Sequence, residues 1–154
     1  MLLSGLFLFS CSDTSTTKSE NTEDSIVVKH EAAAENHADE HAGNLMLNNG
    51  AKWQTDESTR THAAKLTTEV NAFNAKTNAG VKDYQVFAVD MQNELNSLVS
   101  DCKMKGEDHD ALHLWLEPVL KNVSDLKKVT TTEEGKHTME TLTGNLKKFN
   151  QYFN

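Results

Sequence analysis

Residues 82–105 read KDYQVFAVDMQNELNSLVSDCKMK, and the spacing of their apolar positions decides the fold class. Tyr84, Ala88, Met91, Leu95, Leu98, Val99 and Cys102 recur at steps of three and four, which places them along one stripe of an α-helix, whereas a strand would alternate them. The same period continues on both sides. Upstream, Thr55 or Asp56 can cap a helix that carries Leu66, Val70 and Phe73 on one face and runs to about Thr77, before Asn78-Ala79-Gly80 stops it. Downstream, Gly106 suits a helix stop and Asp108 a cap. A third stripe then follows through Leu112, Leu116, Val119, Leu120, Val123 and Leu126 to about Val129. A fourth helix begins near Thr132-Glu133-Glu134 and turns Met139, Leu142, Leu146, Phe149 and Phe153 inward. Pro118 falls inside the third, where a missing N–H should kink or split the helix. Connections of a few residues favour antiparallel neighbours. The expected architecture is all-α, an up-down-up-down antiparallel four-helix bundle over residues 45–154, with LMLNNGAKW at 45–53 packing as an irregular arm against one end.

Ahead of the bundle the composition changes. Ser12 to Asn44 holds eight acidic residues and two lysines, no aromatic residue and one short apolar cluster, Ile26-Val27-Val28, too little to bury for independent folding. Residues 11–44 therefore read as a disordered, solvated tether, and the remaining 110 residues carry a net charge of only −2. The −8 on the whole chain argues against a nucleic-acid binder, which needs a basic surface. Two cysteines make no disulfide framework.

Residues 1–10, MLLSGLFLFS, form an apolar run far shorter than the roughly 20 residues that cross a bilayer. The run ends in Leu8-Phe9-Ser10-Cys11 and meets a polar stretch at once, as a secretion signal does. This resembles the lipobox of bacterial lipoproteins. The resemblance implies cleavage before Cys11, lipidation of its sulfur and acylation of the new N-terminus, and Ser12 in place of Asp implies onward sorting to an outer membrane. Several acyl chains anchor a protein stably without a spanning helix. The expected location is extracytoplasmic, on the periplasmic or surface side of that membrane.

Chemistry-bearing residues concentrate between the second and third helices, in Cys102-Lys-Met104-Lys-Gly-Glu-Asp-His109-Asp-Ala-Leu-His113. His109 lies inside the apolar stripe of its helix and His113 at its edge, and histidines four apart share a face. Cys102 lies on the apolar face of the second helix. His62, at the start of the first helix and four residues before Leu66, also faces inward at the same end and is a candidate fourth ligand. A thiolate with imidazoles suits zinc or copper, and Met104, within reach only if the second helix ends early, would shift the preference towards Cu(I). Asp108 and Asp110 are candidates to hydrogen-bond the imidazoles. His30, His37 and His41 among the tether acids make a looser metal-capture candidate, and His137 lies opposite its helix's stripe.

The competing interpretation makes Cys102 a small core residue and His109 a helix-start hydrogen-bonding group, in a metal-free adaptor bundle whose Trp115, off the main stripe, anchors an envelope protein. Haem held by His and Met is disfavoured, and the helices lack the inward Glu with Glu-x-x-His of a di-iron site. No phosphate loop, HExxH, CxxCH or Gly-x-Ser-x-Gly is present, so no enzyme is expected.

The pattern Cys102-x-Met104-x-Gly106-x-x-His109-x-x-x-His113-x-Trp115-Leu116-x-Pro118, with the arm Leu47–Trp53, resembles a group of small exported helical proteins of Gram-negative bacteria over residues 45–154. The resemblance implies an intact helical unit and carries no activity across.

Overall fold

The computed structural model describes residues 44–154. The signal-like run, Cys11, the acidic tether and its histidines lie outside the described residues. Four helices follow in order, α1 (Glu57–Asn74), α2 (Val81–Asp101), α3 (Glu107–Leu126) and α4 (Thr132–Tyr152). Each packs against its neighbours in sequence, α1 closes on α4, and α2 touches α4 across the diagonal. The chain thus forms an all-α antiparallel bundle. Most residues of the four stripes are buried, with Leu66, Val70, Ala88, Met91, Leu95, Leu98, Val119, Val123, Leu142 and Leu146 almost sealed from solvent.

Helix ends follow local chemistry. Asp56 caps α1, its carboxylate accepting from the Thr59 N–H at 2.7 Å. Thr131 caps α4 by accepting from the Glu134 N–H at 3.2 Å, while the Glu134 carboxylate accepts from the Thr131 N–H in return. α1 ends at Asn74, three residues before the expected stop. α2 ends at Asp101 rather than near Lys105, because the Lys103 N–H is drawn across to Asp56 Oδ2 at 2.6 Å, which takes the chain out of helical register. Gly106, expected to stop α2, instead starts α3: its φ of 65° with ψ of −151° is a conformation open to glycine, and its carbonyl receives the first bonds of α3. Asp108 accordingly lies within the first turn and accepts from the Gln54 N–H at 2.9 Å, so it is not the cap.

Pro118 does not split α3, which is one continuous helix. It removes a single donor, that for the Leu114 carbonyl, while Leu112, Leu116, Val119, Val123 and Leu126 of the flanking stripe stay buried. Val99 departs from the expected stripe and is 55% exposed, whereas Glu94 is 6% exposed. At about 100° per residue the buried arc of α2 runs from Glu94 through Leu98, Met91 and Leu95 to Ala88, and Val99 falls just outside it. Trp115 is a further correction: it is 1% exposed, donates Nε1–H to the Asn145 carbonyl at 2.9 Å and meets Phe149 edge-on at 4.9 Å. A bundle helix faces two neighbours, so its buried arc is wider than one stripe.

The starts of α1 and α3 and the ends of α2 and α4 gather at one end, and the arm covers it. An Asn49-Gly50 turn closes Asn48 on Ala51, with both central residues at positive φ. Trp53 then bridges to Phe153, its N–H donating to the Tyr152 carbonyl at 2.8 Å and its indole N–H to the Met46 carbonyl at 2.6 Å.

Candidate metal centre

At the arm-covered end, three predicted residues come together. The Cys102 backbone is extended after the last turn of α2, its side chain is partly buried against the core, and its Sγ lies 3.8 Å from His109 Nδ1. The other nitrogen of that ring, Nε2, lies 2.7 Å from Nε2 of His113, and the two rings are tilted with centroids 4.5 Å apart. His109 is half-buried and His113 exposed. Met104 is partly buried against the same core, in the non-helical segment that the early end of α2 creates.

The donors form a line and do not yet converge. His109 shows opposite edges of its ring to Cys102 and His113, and among the described residues no group of three or more His, Cys, Asp or Glu is already arranged to hold an ion. A tetrahedral centre needs nitrogens about 3.3 Å apart and sulfur about 3.5 Å from nitrogen, from metal bonds of about 2.0 and 2.3 Å. The two contacts run to opposite edges of one ring, so Cys102 Sγ and His113 Nε2 stand much further apart than two ligands of one ion, and more than the His109 ring must move to bring all three donors to one centre.

His62 is placed elsewhere. Its Nδ1 lies 2.7 Å from Glu94 Oε1 and its Nε2 3.2 Å from Asp101 Oδ2, so both ring nitrogens are engaged. The Lys65 ammonium grips the other oxygen of Glu94 and stands 4.0 Å from Glu69. The hydrogen bond that His62 donates to the Glu94 carboxylate raises the His62 pKa above its ordinary 6.5, burial opposing and Asp101 assisting. Burial pushes the Glu94 carboxyl up, but Lys65 and His62 more than reverse this and hold it below its ordinary value. Burial pushes Glu69 up. Asp56 is held at about 2: burial raises it, and hydrogen bonds from Thr59, Lys103 and Ser58 overcome that.

Sequence reading missed this ionic seam between α1 and α2. Its one visible trace was Glu94, an acid inside the run Met91, Leu95, Leu98. Asp108 is engaged by the arm through Gln54. An open groove of about 840 Å³ lies at the far end, lined by Phe73, Tyr84, Lys76, Lys136, Met139 and Lys147, and has no part in the thiol–imidazole cluster. Near the cluster a shallower cleft of about 540 Å³ runs past Asp56, Ser58, His62 and Lys103.

Comparison with protein-family models, curated proteins and solved structures gave no match.

Proposed function

We propose that this end of the bundle captures a soft or borderline transition-metal ion, copper or zinc, as a buffering, delivery or sensing unit of a lipid-anchored extracytoplasmic protein. The observation that carries the reading is the His109 ring, set between the Cys102 sulfur and the His113 imidazole by two helix termini. Cys102 would supply the thiolate, His109 and His113 the imidazoles, and Met104 a thioether that favours Cu(I). Lipidation at Cys11 belongs to the same reading and rests on the signal-like run alone.

Titration with Cu(I) and Zn(II) against a competing chelator tests it. The wild-type chain should outcompete a moderate chelator, and a His109→Ala/His113→Ala variant of unchanged helicity should not. Equal uptake by both would remove the metal reading. The metal-free adaptor would then stand, favoured by Val86 and Val89, which lie half-exposed on neighbouring positions of the outer face of α2.

A further inference from the structure

We propose that His62 is a positioning residue for the thiol–imidazole site: through Asp101 and Glu94 it fixes the last turn of α2, and thereby the point at which the chain delivers Cys102. The consequence for metal rests on the function proposed above; the consequence for the chain does not. Cys102 caps the end of α2, its N–H donating to the Leu98 carbonyl at 3.0 Å before the backbone turns extended, and both its neighbours are tied to α1. The Asp101 carbonyl accepts from Ser58 Oγ at 2.9 Å, and the Lys103 N–H donates to Asp56 Oδ2 at 2.6 Å. Among the described residues His62 adds the one tie to the Asp101 carboxylate, at 3.2 Å.

A ring bonded at one nitrogen can pivot; one bonded at both cannot without breaking a contact. Glu94, buried and gripped by Lys65, is the fixed post for Nδ1, leaving Nε2 aimed at Asp101. The charged groups around His62 are Glu94 and Asp101 on α2, Lys65 and Glu69 on α1, and Asp56, Glu57 and Lys103 along the adjoining cleft. Among the described residues α4, the other helix packed on α1, brings no ion pair to it. Residues behind metal ligands commonly change affinity by about 10- to 100-fold.

The test uses the full chain carrying Cys11→Ser, which leaves Cys102 as the sole thiol, with Co(II) as the probe. Two quantities are read: the thiolate-to-cobalt charge-transfer absorption, and amide hydrogen exchange of residues 99–106 without metal. His62→Ala should weaken cobalt binding about tenfold, lower the charge-transfer intensity per bound ion and speed exchange at 99–106, with 119–126 in α3 unchanged. His62→Gln, able to reach one carboxylate, should recover part of each effect. Protection at 99–106 equal to wild type in His62→Ala overturns the proposal. Absence of any charge-transfer band in the His62-containing chain overturns the metal reading, while the exchange comparison still decides the role of His62. If His62→Ala also loosens α3, Asp101→Asn makes the same comparison with the Ser58 tie intact.

Discussion

His109 Nε2 lies 2.7 Å from His113 Nε2, one helical turn further along α3. At that distance one imidazole donates and the other accepts, so the pair holds a proton between two nitrogens. Bringing both histidines onto one ion requires the two nitrogens to separate by a few tenths of an ångström, and each imidazole keeps its N–H proton by shifting it to its other nitrogen. The Cys102 thiol, by contrast, must lose its proton to ligate, so metal uptake should release protons. Calorimetry in buffers of different ionisation enthalpy should find about one proton released per ion, and Cys102→Ser should lower that number.

The ionic seam gives stability a two-sided pH dependence. The His62 pKa is raised, so its contribution is full below about 6.5 and is lost as pH climbs through the raised value. Glu94 and Asp56 are depressed; their contributions are full above about 4.5 and 3.8, and fade as pH falls through their folded values, about 2 for Asp56. Urea unfolding should show greatest stability between about pH 4.5 and 6.5. Asp56→Asn should lose about 1–2 kcal/mol at neutral pH, part of it as the N-cap, and flatten the acid limb. Glu94→Gln should let the His62 pKa fall back towards 6.5, as read by its proton resonances. An unchanged His62 titration would contradict the seam.

Two glycines of α4 should respond with opposite signs to alanine. A Cβ at Gly135 would overlap the Tyr84 ring where α4 meets α2 across the diagonal, so Gly135→Ala should cost about 1–3 kcal/mol. At Gly144 a Cβ meets nothing within 4 Å, and Gly144→Ala should add about 0.5–1 kcal/mol through helix propensity. Thermal unfolding of the pair checks both.

Trp115 acts in the core. Trp115→Phe should cost about 1–3 kcal/mol, because the Asn145 carbonyl loses its indole donor and the ring a part of its volume. A variant as stable as wild type would return Trp115 to the surface role that its angular position suggested.

The number, order and apolar faces of the helices were legible because each stripe repeats with a helical period over about 20 residues, far more than one misplaced residue can obscure. Helix ends were less so. Gly106 and Asp108 look alike as stop or cap signals from either side, and where α2 stops depends on ties to α1 such as that of Lys103 to Asp56. That His109 would lie beside both Cys102 and His113 was legible from their places around one short turn. The destination of His62 was not, since it depends on which face of α2 lies opposite α1. Glu94 was lost for a related reason: an acid in an apolar stripe reads as an interruption until its partners, His62 and Lys65 on another helix, are seen to surround it.

The most direct test of the account is elemental analysis of the purified full chain, without an affinity tag, after exposure to Cu(I) and Zn(II) under reducing conditions and extensive desalting. Close to one copper or zinc ion should be retained per chain, and almost none in His109→Ala/His113→Ala. A wild-type chain that emerges free of both metals, with its helices intact, would contradict it.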